Sequence, residues 1–466
     1  MHTGFDPLAD ADELCRLSAA DLTAGYRAKR FSPVEVAEKT MDRAEAVNPR
    51  LNAFTFIDRK GALVAAAASE KRWQAGEPLS DVDGVPTTLK DIVWVKDWTV
   101  RYGSHTTTDT PYDSDAPAVD RLRNAGAVFI GQTTTPEFGW KAVTDSRLSG
   151  VTCNPWNAEM TAGGSSGGAA AAASTGAGVF HLGTDGGGSI RVPAAFCGIV
   201  GIKPTFSRVA AYPGSAFGTV AHIGPMARSV ADTAAMLKAM AGRDSRDWAQ
   251  GVGTLPSLDA PHVDLAGVRI GYWGEPPAGT LDPEIESTVT ARLGQLQDRG
   301  AIIAPIALPG SDLLELFHAH WFTGAAARLA MVPEAQHGKI DPGFLDIASK
   351  GGALDAKALV AAQGRRADFG AGMDRLLETY DFIVSPATTV PAFGAGLEVP
   401  AGSGLDRWTE WAAFSFPINL SQQPACTIPC GQTLAGLPIG FQIIGARGQD
   451  ARVLALAALL EEVFAD

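Results

Sequence analysis

Two glycine-rich loops carry hydroxyls close enough along the chain to share one site. Gly163 to Gly168 reads GGSSGG and Gly183 to Arg191 reads GTDGGGSIR, with an alanine-rich stretch and the run GVFHLGT between them. The alanines predict a helix and the apolar run a short strand, so both loops fall within one βα-like unit. A serine flanked by glycines suits acyl transfer. Glycine opens backbone conformations closed to other residues and lets N–H groups approach an oxygen on which negative charge develops. A hydroxyl is a weak nucleophile near neutral pH, however, so a base must stand within hydrogen-bond reach.

The same residues admit other readings. Isolated Gly/Ser clusters commonly serve only as turns. Gly163 to Gly167 also fits the G-x-S-x-G elbow of an α/β-hydrolase, whose acid and histidine follow the serine. The histidines lie at 2, 105, 181, 222, 262, 318, 320 and 337, which leaves none in the last part of the chain, where that fold keeps its base. Phosphate cradling fails as well, because neither G-x-x-x-x-G-K-[ST] nor G-x-G-x-x-G with a following acid occurs.

On these residues the chain resembles the amidase signature family. The family pattern runs GGSSGG, GTD-x-GGSIR and PA-x-x-CG-x-VG-x-KPT, and Gly163 to Thr205 meets it almost letter for letter. Upstream, the stretch from Gly84 to Asp91 supplies the family's GVP-x-x-x-KD. Asn52 to Phe54, Thr135 to Phe138, Asn154 to Trp156, His222 to Met226 and Gly436 to Gln442 extend the likeness over nearly the whole chain. The resemblance implies an α/β fold, with a large twisted mixed β-sheet covered by helices on both faces. One domain is expected over 1–466, comprising a helical segment to about 80, a signature core over about 84–230 and a variable substrate-pocket region over about 310–420.

The resemblance also implies a Ser–cis-Ser–Lys triad. Ser189 is the nucleophile, Ser165 the bridging serine on a cis peptide after Gly164, and Lys90 the base. Backbone N–H groups of Gly186, Gly187, Gly188 and Ser189 face the oxyanion; Ser166, Asp185 and Arg191 support the loops, and Gly139 contacts the substrate. The implied reaction hydrolyses a small carboxamide to a carboxylic acid plus ammonia or amine through an acyl-enzyme, with neither cofactor nor metal. Within the same fold the alternative is the glutaminase component of a tRNA-dependent amidotransferase, and outside it an α/β-hydrolase-type esterase. A glutaminase pocket needs charged partners for the carboxylate and ammonium of glutamine. Here Ala412 stands where that component carries an acidic residue. Other departures are Gln132-Thr133-Thr134 for the usual K-T-N, Ala162 for proline, Gly186 for threonine or larger, and Gln422 for glycine. A homodimer is admitted by family habit.

The elements that must position these residues are legible in outline. Ser32-Pro33-Val34-Glu35 is a capping box with proline at the first helical position, and its apolar face continues to Met41. A second helix covers Lys60 to Gln74 and stops at Gly76. Gly84 to Lys96 alternates towards strand. Lysine is a surface residue by default, yet Leu89 and Ile92 beside Lys90 point to burial and a lowered pKa. A helix and then the strand AVFIGQ occupy 116–133, and the long loop 134–162 is of a kind that carries binding function. Val230 to Met240 and Pro283 to Arg299 alternate as helices with strands at 268–273 and 301–306, and 311–380 is mostly helical. DFIVSP, ACTIPCG and LPIGFQIIG return to strand before a closing helix over 450–464. Trp408, Trp411, Phe414 and Phe416 read either as core or as walls of an apolar pocket, and the second reading favours an apolar or aromatic amide.

Composition excludes several classes. With 46% apolar and 19% charged residues the chain has material for a large core. A net charge of −13 without a Lys/Arg cluster argues against a nucleic-acid partner. The 5 cysteines are an odd number with no CxxC spacing, so no disulfide framework or zinc site is suggested. The acidic opening stretch has no apolar leader and no run approaches a membrane span, so a cytoplasmic protein without a membrane partner is expected.

Overall fold

The computed structural model describes residues 6–465 apart from 252, 254 and 260, so the start of the opening stretch lies outside the described residues. The strands are β1 (Phe54–Ile57), β2 (Pro86–Lys90), β3 (Val128–Thr133), β4 (Asp145–Ser146), β5 (Gly150–Val151), β6 (Phe180–Asp185), β7 (Val200–Lys203), β8 (His222–Ala227), β9 (Arg269–Tyr272), β10 (Ile302–Pro305), β11 (Phe382–Pro386), β12 (Ala425–Gln432) and β13 (Pro438–Ile444). An 11-stranded sheet has the order β1-β3-β2-β6-β8-β7-β12-β13-β11-β9-β10, while β4 and β5 form a separate ribbon. β3, β2 and β6 are mutually parallel, as are β11, β9 and β10, and the strands between them pair antiparallel. The sheet is therefore mixed, and the α/β class holds.

Successive side chains of a strand leave on opposite faces, and here they enter different cores. Ile443, Val384 and Cys426 pack with Leu22, Leu89, Leu182 and Leu460. Their neighbours Ile444, Ile383 and Ala425 pack instead with Phe196, Phe317 and Trp411. The first core is closed by the N-terminal helices, the Val230–Met240 helix and the Asp450–Ala465 helix, and the second mainly by the Leu313–Leu329, Pro342–Gly352 and Ala356–Thr379 helices. Among the described residues no helix is long and apolar enough to cross a membrane.

Local signals place most helix ends. Ser32 and Glu35 form the capping box at the start of the Pro33–Leu51 helix, and Gly76 closes the Arg59–Ala75 helix at φ +76°. Asp282 caps the Pro283–Asp298 helix by accepting the Glu284 and Ile285 amides. Gln422 ends the Phe416–Ser421 helix in the left-handed region at φ +69°, which is why glycine is the easier residue there. The strand expected over 84–96 stops at Lys90. Both Ile92 N and Val93 N donate to Lys90 O, at 2.7 and 3.0 Å, and turn the chain out of the sheet.

Candidate active site

β2 and β6 lie side by side in parallel register, with Leu89 opposite Leu182. Their carboxyl ends therefore emerge at one edge of the sheet, the usual place for a site in α/β proteins. Lys90 closes β2, Asp185 closes β6, and residues 186–190 turn into the Arg191–Cys197 helix. The GGSSGG loop lies against this turn, with Ser166 N donating to Ser189 O at 3.1 Å. The Gly164–Ser165 peptide is cis. No side chain fits at Gly164, since a Cβ there would lie 2.4 Å from the Val143 carbonyl carbon.

Lys90 is fully buried, and all its partners are hydroxyls. Nζ donates to Ser165 Oγ at 2.7 Å, Ser166 Oγ at 3.0 Å and Thr184 Oγ1 at 2.9 Å. Burial pushes its proton affinity well below that of an ordinary lysine, and the Asp185 charge only partly offsets this. Ser189 is 5% exposed, and among the described residues its hydroxyl has no hydrogen-bond partner. The structure thus joins Lys90 to Ser165 directly and brings Ser189 to the same loop contact, with no hydrogen bond between the two serine hydroxyls.

The loop after β6 is fixed by a buried ion pair. Arg191 donates to Asp185 from Nε and Nη2, both at 3.0 Å, and its remaining protons go to Gln442 Oε1, Ser415 O and Asn419 Oδ1. Burial alone would raise the Asp185 carboxyl, but Arg191 and Asn419 hold it below the usual range. Asp185 also accepts Gly188 N at 2.8 Å and Ile190 N at 3.2 Å. The amides expected to face the oxyanion are therefore not equivalent. The Gly188 amide is already engaged, whereas among the described residues the amides of Gly186, Gly187 and Ser189 have no acceptor. Asp185 and Arg191 hold each other and the loop between them, and Ser166 bridges the two loops through Lys90 and Thr184.

Gly139 lies against Ser165, because a Cβ on it would be 3.3 Å from Ser165 Oγ. The preceding Phe138 is left-handed at φ +54°, and its amide donates to Tyr102 O at 2.7 Å. Tyr102 is tied back to Asp91, whose backbone oxygen accepts Tyr102 N and whose carboxylate accepts Arg101 N at 2.7 Å. Burial raises the Asp91 carboxyl to about 7.

Aromatic rings fill the space over the glycines. A Cβ at Gly186 would lie 2.8 Å from the Trp321 ring, and one at Gly187 would lie 2.7 Å from Trp408 and 2.9 Å from Phe317. The side chain absent at Gly186 therefore makes room for Trp321, which in turn stacks on Phe217 with centroids 3.8 Å apart. Trp408, edge-on to Phe317 and Trp321, and Trp411, between Phe196 and Phe393, are both buried in the second core, so the reading of these aromatics as core is the one their burial supports. Ala412 is buried without charge. Among the described residues no histidine bonds to Ser165 or Ser189. His222 sits opposite Asp185 in the β6–β8 pairing, but its Nδ1 faces Val220 O at 2.8 Å and its Nε2 faces Lys203 at 3.3 Å.

Several of these residues escaped sequence reasoning. Thr184 lies inside the quoted motif but has the look of a strand residue. Asn419 and Trp321 reach the loop from distant segments, for which spacing offers no signal.

Known proteins resemble this chain over most of its length. A sequence profile of the Amidase family matches residues 35–454. An acylamidase from Rhodococcus erythropolis is 35% identical over 456 residues, covering 96% of this chain and 95% of that one. A glutamyl-tRNA(Gln) amidotransferase component from Anaeromyxobacter sp. (strain K) is 33% identical over 485 residues, covering 97% of each. Among solved structures, a bacterial aryl acylamidase of the amidase signature family superposes with a TM-score of 0.88 at 27% identity, covering 96% of each chain.

Proposed function

This chain belongs to the Amidase family and is a hydrolase of amide bonds, and on that premise we propose that it cleaves neutral carboxamides or anilides through Ser189, Ser165 and Lys90. The carrying observation is the fully buried Lys90 amine, surrounded by hydroxyls alone and 2.7 Å from Ser165 Oγ. Burial favours the neutral amine, which can accept a proton instead of donating one. The Ser165 hydroxyl then passes its proton to Lys90 and receives that of Ser189. The freed Ser189 Oγ attacks the amide carbon, and the charge that appears on oxygen meets the amides of Gly186, Gly187 and Ser189. Each such donor is worth about 3 to 4 kcal/mol at the transition state. Collapse expels the amine, which takes the proton held on Lys90 through Ser165 and leaves an acyl-enzyme. Water activated by the same relay releases the carboxylic acid. Nucleophile, base, acid and oxyanion donors all come from the chain, so no cofactor is required.

Trp321, Phe317 and Trp408 beside the glycine loop support an apolar or aromatic substituent on the amide. The likeness to an amidotransferase component keeps a glutaminase as the second reading. Uncharged Ala412 speaks against it, because a buried glutamine ammonium would lack its acid. Assay of the purified chain on anilides, aliphatic amides and glutamine decides between them. Turnover of anilides with negligible glutamine hydrolysis is expected, and Ser189→Ala is expected to abolish it while preserving the melting transition. Activity within tenfold of the parent in Ser189→Ala would refute the nucleophile. Glutamine hydrolysis that needs added partner chains would replace the substrate reading.

A further inference from the structure

A cleft of about 660 Å³ lies on the far side of the Phe217–Trp321 stack from the glycine loop, walled by Phe217, His320, Thr323, Arg366, Gln422 and Arg447 among others. Its charge is unbalanced. Asp374 is neutralised by Arg447, which grips both carboxylate oxygens, and it also accepts Gln423 Nε2 at 3.1 Å. Arg366 has only neutral acceptors. Nε donates to Leu420 O at 2.7 Å, Nη1 to Thr219 Oγ1 at 2.7 Å, and Nη2 to Thr219 O at 3.0 Å and Asn419 O at 3.5 Å. Four of its five N–H groups are used and one Nη1 proton remains. His320 stands on the same wall.

A half-buried guanidinium that meets no carboxylate keeps its full attraction for an outside anion, and a planar carboxylate matches its fork. Phe217, Leu359, Leu420 and Ala327 supply the apolar remainder of the wall. We propose that this cleft is a second binding site, distinct from the amide's own, for an organic carboxylate on an apolar body. That is the chemical class that the proposed hydrolysis releases, a link that rests on that reading. Two contacts join the cleft to the nucleophile loop. Phe217 lies on Trp321, whose ring abuts Gly186, and the Asn419 carbonyl bound by Arg366 belongs to the residue whose side-chain amide donates to Asp185 Oδ1 at 2.9 Å.

Sodium benzoate is a suitable probe, with benzamide as its neutral counterpart. Titration calorimetry on the Ser189→Ala protein needs no turnover, so its outcome is independent of the proposed reaction. Saturable benzoate binding is expected, with benzamide at least tenfold weaker. Arg366 also clamps the chain, so the decisive variant is Gln363→Glu, which adds a carboxylate at an exposed helical position on the cleft wall. It should weaken benzoate at least tenfold and leave the melting transition in place. In the active protein benzoate should inhibit non-competitively against a neutral amide, and Gln363→Glu should relieve the inhibition. Absence of saturable binding, equal binding of benzamide, unchanged binding in Gln363→Glu, or competitive inhibition would each overturn the proposal.

Discussion

Two buried lysines, Lys90 at the end of β2 and Lys203 at the end of β7, share residue type, burial and the direction in which burial moves their proton affinity. They differ in what they touch. Lys203 donates to Gln423 O, to Pro204 O at 3.3 Å and to His222 Nε2 at 3.3 Å. Carbonyl oxygens have no proton to yield, and with Nδ1–H of His222 turned to Val220 O its Nε2 has none either. Every partner of Lys90 is a hydroxyl, which can give up a proton as well as accept one. Burial therefore creates the capacity for base chemistry in both lysines, and the partners decide which one can use it. Lys203 acts as a clamp between segments, beside Asp185 but without access to a reacting hydroxyl.

The sharpest test exchanges each lysine for an uncharged residue. Lys90→Ala should lower kcat/KM by about 10³-fold or more with little change in melting, since the proposed general base is lost. Equal loss in Lys203→Met per folded molecule would erase the distinction. Instead, Lys203→Met should destabilise the fold by about 2 to 3 kcal/mol, because buried acceptors are left unpaired. Its activity per folded molecule should stay within tenfold of the parent, as measured by denaturant titration alongside active-site labelling.

Acid–base behaviour separates them further. Each folded lysine binds its proton less tightly than the unfolded chain, whose value is 10.5. Between the lowered folded value and 10.5 the unfolded state holds the extra proton, so stability rises with pH and is lost as pH falls through that window. Both lysines share this sign. Only Lys90 should also set the acid limb of kcat/KM, which should persist in Lys203→Met; a limb that moves with Lys203 would contradict the assignment.

A smaller effect comes from Asp91, raised from 3.8 to about 7. Its stabilisation is present below about 4 and is lost as pH rises through 7, the opposite slope. Asp91→Asn should flatten stability against pH between those values in urea titrations, while the acid limb assigned to Lys90 remains.

Much of the candidate site was legible because its groups stand in contiguous motifs. GGSSGG and GTDGGGSIR fix the serines, their glycines and the Asp185–Arg191 pair within one strand–loop–helix unit, and cap residues such as Ser32 and Asp282 mark helix starts locally. The same local logic overextended β2 past Lys90, since the turn there depends on hydrogen bonds back to Lys90 O rather than on residue type. Nor does a glycine in the motif reveal that the Gly188 amide donates to Asp185.

Residue types and spacing alone set the inventory of groups and the unit that carries two of them, since backbone conformation and strand or helix propensity act over a few residues. Packing settled which of those groups meet. Parallel pairing of β2 with β6 brings Lys90 to hydroxyls 75, 76 and 94 residues away and strips it of water. Folding of the Leu313–Leu329 helix across the glycine loop places Trp321 where Gly186 leaves room, and the unbalanced Arg366 arises only where three segments converge. Desolvation and partner choice are properties of the packed interior, so no stretch of sequence read alone contains them.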